Sequence, residues 1–276
     1  MRFIKTLLFS LIIICPFLMG SFWFFVPAPG DSCPTFTNTY SAYYDGTAEN
    51  VNFGDILDED STDAVTFSMW LKVASTASSN PTPLGKMDSS SNGYAIFFDS
   101  GRWGLIFYDN DGADYIETRT NATYKDNTWH HFLMTYDGSQ APTGFVPYVD
   151  NVAVAHADLS GGSIVDTSSA ENFVLGVLNS FGVNYQFKGY MGDVAKIPWV
   201  ISSGERGEIF NLGKEVNMCS SFSGWSSMKA DARSFWLTWE AADFESASGI
   251  VDLTDNAYAG TATNMTNATN KAAEAP

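Results

Sequence analysis

The sequence predicts an all-β protein: two antiparallel sheets packed face to face as a jelly-roll sandwich, with an N-terminal hydrophobic helix and one short helix near residues 203–212. Three observations carry this reading. Between residues 39 and 200 the apolar residues recur with period two and almost never with the 3.6 of a helix. Asp-Gly, Asn-Gly and Gly-Gly pairs punctuate these runs at short intervals, as many short strands require. Aromatic residues make up 15% of the 276-residue chain, which supplies a large core and excludes wholesale disorder.

Charge narrows the function. Asp and Glu total 31 against 14 Lys and Arg, a net charge of −17. A nucleic-acid partner is excluded on this balance, because phosphate contacts need clustered cations. An anionic lipid surface is a poor match for the same reason.

Residues 1–30 read as a signal peptide or membrane anchor. Arg2 and Lys5 precede an apolar stretch, residues 6–26, and the first acidic residue is Asp31. The stretch is long enough to anchor the chain in a membrane, and no cleavage site stands out, so cleavage and retention both stay open. Either places the body outside the cytoplasm, secreted or at a cell surface. Cys33 and Cys219 are then the only cysteines left in the body. Export permits a disulfide between them, which is expected, the alternative being two buried thiols.

The body, residues 31–263, is read as one domain. Val65–Val73 puts Val65, Phe67, Met69, Leu71 and Val73 on one face and Thr66, Ser68, Trp70 and Lys72 on the other. Tyr94–Phe98 and Trp103–Tyr108 form a hairpin about Asp99-Ser100-Gly101-Arg102. Asp111-Gly112 turns into Tyr115–Thr120. Trp129–Tyr136 is a further strand, and Asp150-Asn151 is a two-residue hairpin turn between 146–149 and 152–155. Phe173–Leu178 and Gly189–Ile197 continue the series. Ser202 or Ser203 caps a helix that Gly213 stops. Ser234–Glu240 and Gly249–Leu253 are read as returning strand, and residues 264–276, rich in Asn, Thr and Ala, as a flexible tail.

In this order the segments resemble the laminin-G-like, concanavalin A-like lectin and glucanase jelly-roll family. The resemblance rests on Ala42-Tyr43-Tyr44-Asp45-Gly46 with Val51-Asn52-Phe53-Gly54, on Phe67-Ser68-Met69-Trp70-Leu71-Lys72, and above all on Trp129-His130-His131-Phe132-Leu133-Met134-Thr135-Tyr136-Asp137-Gly138. Phe187–Val194 and Glu208–Gly213 close it, so it covers about residues 40–213. It implies a concanavalin A-like sandwich, Trp129 in the core, and one of His130 and His131 inward with the other at the surface. It also implies a structural Ca²⁺ between an acid of the opening strand, here Asp45, and an acid of the closing strand. Gly192 takes that second position and only Asp193 remains. The segment from Phe235 to Met265 resembles a tail found after such domains in bacterial and phage-encoded proteins.

No catalytic apparatus is legible. The Glu-x-Asp-x-x-Glu strand motif of glycosidases on this fold is absent, and Glu240, Asp243 and Glu245 have the wrong spacing. Adjacent His130 and His131 point to opposite faces of a strand and cannot share a ligand. No metal site is assigned and no cofactor is required. The expected function is an exported, non-catalytic module that recognises a glycan or a cell-surface protein. The alternatives are a structural subunit of a virion, fibre or other self-assembled particle, and, against the motif evidence, a glycoside hydrolase. Sugars pack their C–H faces on aromatic rings beside polar groups, so the candidate ligand-binding residues are Trp103, Tyr108, Asp111, Tyr115 and Trp70.

Overall fold

The structure, a computed structural model, describes residues 33, 37, 39–87, 92–109, 113–178, 185–240, 242–246 and 249–276. Contacts divide the chain into residues 1–33 and residues 34–276, and the fold is that of the second unit. The N-terminal hydrophobic helix and Asp111 lie outside the described residues. Among the described residues no helix is long and apolar enough to cross a membrane.

The strands are β1 (Ser41–Asp45), β2 (Asn50–Asn52), β3 (Val65–Val73), β4 (Leu84–Met87), β5 (Gly93–Asp99), β6 (Arg102–Asp109), β7 (Asp114–Thr123), β8 (Trp129–Tyr136), β9 (Phe145–Val149), β10 (Val152–Ala153), β11 (His156–Gly161), β12 (Val174–Leu175) and β13 (Lys188–Ile197). After them come helices α1 (Ser203–Phe210), α2 (Met218–Ser221) and α3 (Trp225–Ala230), strands β14 (Phe235–Leu237), β15 (Ile250–Val251) and β16 (Ala259–Thr263), helix α4 (Asn267–Asn270) and β17 (Lys271–Ala272). One sheet runs β10-β9-β8-β3-β13-β1-β17, with β14 also on β13, and the other runs β11-β7-β6-β5-β4-β12-β2-β16-β15. Every pairing within these sheets is antiparallel, so the predicted two-sheet sandwich is observed.

The alternation read from the sequence fills the space between the sheets. Val65, Phe67, Met69, Leu71 and Val73 of β3 meet Tyr94, Ile96 and Phe98 of β5 and Trp103, Leu105 and Phe107 of β6 in one buried cluster. Rings interlock across it: Phe67 on Tyr94 at 5.4 Å, Trp103 on Phe132 at 5.1 Å, Phe107 on Tyr136 at 5.2 Å. Such pairs add about 0.5–1.5 kcal/mol each beyond the area they bury. The phenols of Tyr94 and Tyr136 donate to the carbonyls of Leu57 and Ser61 and so tie the long β2–β3 loop to the core. Both predicted hairpin turns use left-handed residues: Ser100 and Gly101 at φ 54° and 89°, Asp150 and Asn151 at φ 50° and 65°.

The outer face of the β3–β8–β13 sheet is roofed by helices. Ser202 and Glu205 form a reciprocal capping box that starts α1, and Asn211 in the left-handed region ends it. Ile209, Met218, Phe222, Trp225 and Met228 then bury Leu133, Ala195, Ile197 and Trp236. Helices α2 and α3 have no counterpart in the sequence reading. Cys33 and Cys219 are joined in the expected disulfide.

Two expectations are corrected. Trp129 is not in the core: it is half-buried on the outer face, 6.3 Å from the Tyr190 ring. Residues 264–276 are not a loose tail: β17 pairs with β1, and the amide of Asn270 donates to the Tyr43 carbonyl at 2.8 Å. Lys271 Nζ adds bonds to the carbonyls of Glu240 and Ala242, both at 3.0 Å. The anchoring is polar, so it leaves no apolar period to read.

A bulge in β13 between Met191 and Val194 brings Asp193 under the helical roof beside Glu215. The Asp193 amide donates to Glu215 Oε1 at 2.9 Å, and a Cβ on Gly192 would stand 2.0 Å from that oxygen, so only glycine fits there. Burial pushes both carboxyl groups up, Asp193 well above the usual range and Glu215 to about 8. A group whose pKa is raised by folding favours the native state below its unfolded value, and that advantage is lost as pH climbs through the folded value. Stability is therefore expected to fall from about pH 4.5, the ordinary Glu value, to about pH 8, where the Glu215 contribution is exhausted. Thermal melts should show Tm dropping by several degrees across this range, and Glu215→Gln should flatten the slope.

Candidate functional site

The open face of the second sheet carries the site. Alternation sends one set of β4–β7 side chains into the core and the other outward, and strand register arranges the outward set in rows. One row is Met87, Gly93, Tyr108, Tyr115 and Gly161. The next is Gly85, Ala95, Ile106 and Glu117, and the third is Phe97, Gly104 and Arg119. Asp99 and Arg102 follow. Glycine or alanine at the centre of these rows leaves a depression, and larger residues flank it. Leu178 lies on Gly85, where a Cβ would come within 2.5 Å, and Phe97 lies over Gly104, where a Cβ would come within 3.1 Å. The result is an open trough of about 350 Å³ that Phe97, Asp99, Tyr108, Glu117, Arg119 and Tyr185 help to line. That volume is within the range of ligand sites.

A charged cluster crosses the trough. The Arg119 guanidinium grips both oxygens of Glu117, Nε on Oε1 and Nη2 on Oε2 at 3.3 Å, while Nη1 bonds Asp99 Oδ2. Arg102 also bonds Asp99, and the Ser100 hydroxyl donates to it at 3.1 Å. Burial raises Glu117, and Arg119 only partly offsets this. Burial also acts on Asp99, but the hydrogen bonds from Ser100 and Arg102 and the Arg119 charge outweigh it and hold the carboxyl below its ordinary value. Burial lifts the Tyr108 phenol, and the Glu117 charge adds to that.

Of the residues expected from sequence, Tyr108 lines this trough, and Tyr115 stands beside it outside the lining, their ring centroids 5.6 Å apart. Trp103 is corrected: it is 0% exposed, on the inward face of β6 against Phe132. Trp70 is corrected as well. It is buried beneath α1, stacked on Phe210 at 5.9 Å and beside His131 at 4.9 Å, with no open face for a sugar. Asp111 lies outside the described residues. Sequence reading missed Asp99, Glu117, Arg119 and Phe97. The signal available was Glu117-Thr118-Arg119, two opposite charges at period two on one strand face, opposite an equally charged turn.

The structure offers a second polar group and closes it off. Ser68 Oγ lies 2.8 Å from His131 Nε2, but the space beside them is about 10 Å³ and sealed by helices. Burial lowers His131 to about 3, so it stays neutral. His130 faces the mouth of the sandwich between Asp150 and Asp126, and the Asp150 hydrogen bond raises its pKa. A shared calcium does not fit Asp45 and Asp193. Asp45 pairs with Lys188 at one end of β13, about 17 Å along the strand from Asp193 at ~3.3 Å per residue. Asp45 accepts from Thr47, and Asp193 is enclosed with Glu215. Among the described residues no group of three or more His, Cys, Asp or Glu could hold a metal ion.

An open sheet face with an aromatic and charged trough, on a sandwich roofed on its other side, defines a lectin-like β-sandwich. The chain belongs to the concanavalin A-like lectin/glucanases superfamily, in its laminin-G branch, whose profile matches residues 45–203. No curated protein sequence matches it. Among solved structures, a candidate carbohydrate binding protein from Bacteroides ovatus superposes with a TM-score of 0.56 at 13% identity, over 87% of this chain and 63% of that one. The chain thus spans less than two thirds of that relative. A heptameric pentraxin from Limulus polyphemus aligns at TM-score 0.45 and 12% identity, over 64% of this chain and 84% of that one. Domains LG4-5 of mouse laminin alpha1 align at 0.44 and 12%, over 63% and 45%.

Removing Arg119 would strand the carboxylate of Glu117, which is only 6% exposed at its side chain. Arg119→Ala is expected to cost about 2–3 kcal/mol, less than a fully enclosed pair because part of the arginine meets solvent. Adding Glu117→Gln should recover most of the loss in chemical denaturation.

Proposed function

We propose that this protein is an exported, non-catalytic carbohydrate-binding module and that the trough on the β4–β7 face is its binding surface. The observation that carries the reading is the juxtaposition of Phe97 and Tyr108, which supply ring faces, with a guanidinium held between two carboxylates in an open cavity of ligand size. Rings take the C–H faces of a sugar, and the charged groups take its hydroxyls.

The same geometry speaks against glycoside hydrolysis. A hydrolase needs one acid ready to protonate a leaving group and a second facing the sugar or a water across open space. Here Asp99 and Glu117 are both engaged by Arg119. The basic-then-apolar N-terminal sequence and the Cys33–Cys219 disulfide support export.

Screening the purified full chain on a glycan array tests the proposal. Binding is expected, weakened at least 10-fold by Tyr108→Ala in a variant that keeps its wild-type melting temperature. Equal binding by that variant would move the site elsewhere. Glycan cleavage lost on Glu117→Gln would make the protein an enzyme.

A further inference from the structure

The donor and acceptor count around Arg119 sets the chemistry of the ligand. A guanidinium has five N–H groups. Nε and Nη2 each direct one to Glu117 and Nη1 directs one to Asp99, so Nη1 and Nη2 each keep one free of those carboxylates. Beside them lie carboxylate oxygens with remaining lone pairs. A group that both accepts and donates satisfies this alternation, and a hydroxyl does so. Two free N–H groups on adjacent nitrogens fit two adjacent hydroxyl oxygens. A carboxylate or sulfate only accepts. It would meet Glu117 and Asp99 with no spare positive charge beside it, because Arg119 in the lining and Arg102 on Asp99 are both already neutralised. Asp99, Glu117, Arg119 and Arg102 together sum to zero, within a chain of net charge −17. Field and contacts act in the same direction.

We propose that the trough selects uncharged saccharides presenting two adjacent hydroxyls, and excludes uronates, sialylated sugars and sulfated sugars. This rests on the carbohydrate-binding reading above and adds the class of ligand. Arg119 reads the diol, Glu117 and Asp99 orient the guanidinium and accept from the hydroxyls, and Phe97 and Tyr108 carry the apolar face of the ring. Losing one hydroxyl leaves a polar group of the site unpaired, so selectivity against deoxy analogues follows from the same contacts.

An array printed with matched pairs tests this: neutral hexosides and their uronates, asialo and sialylated glycans, unsulfated and sulfated chains, with deoxy analogues of each bound hexoside. With the full-length protein, the neutral member of each bound pair is expected to win at least 10-fold, and removal of one of the two hydroxyls to weaken binding at least 10-fold. Asp99→Asn should narrow the neutral-to-anionic ratio. If that variant does not fold, the wild-type comparisons decide the matter. Tyr108-dependent binding that prefers the anionic member would overturn the ligand class and leave the binding reading standing. A folded wild-type protein that binds no saccharide would end both.

Discussion

The tight interlock of aromatic side chains between the two sheets fixes everything outside them. Phe67, Tyr94, Phe107, Tyr136 and Phe145 form one buried run of ring contacts, and Phe98, Phe132 and Trp103 form a second. Filling the interior so completely with β5 and β6 side chains of one phase assigns the opposite phase to the exterior. Because strands alternate strictly, a residue of either strand that is not in the core is on the trough face. The small residues there, Ala95 and Gly104, pack nothing inside, so they make the depression without loosening the core.

The two outer faces of the sandwich have different fates. The face of β3, β8 and β13 carries Trp70, Leu133, His131 and Ala195, too apolar to stay in water, and the helices after β13 cover it. The face of β5, β6 and β7 mixes rings with paired charges, and none of the described helices lies on it. Exposure of that second face is a consequence of composition: its charges tolerate solvent, and its rings remain half-buried against one another.

Most of the architecture was legible in the sequence because long runs such as Val65–Val73 alternate cleanly, and Asp150-Asn151 and Ser202-x-x-Glu205 encode their turn and cap directly. The site was only partly legible. Tyr108 and Tyr115 could be picked out as rings beside a turn. Trp103 was misplaced because both phases of Arg102–Asp109 are apolar, Trp103, Leu105 and Phe107 on one side and Ile106 and Tyr108 on the other, so periodicity alone cannot say which faces in. The Asp99–Arg119–Glu117 cluster was invisible because it depends on register across three strands. A shift by one residue would send Arg119 to the opposite face. Short polar helices such as α2 and the side-chain anchors of β17 leave no periodic trace either.

The pairing of β17 with β1 has a mechanical consequence. Ser41 and Ala272 are partners, so the entry and exit of the folded body sit side by side on one sheet edge. Tension applied across those two points would open the ladder bond by bond, like a zipper, which needs far less force than shearing strands lengthwise. The Cys33–Cys219 bond changes the load path: a pull from upstream of Cys33 reaches the body at Cys219. In the oxidised form β1 is shielded from force arriving from that direction, and reduction would expose it.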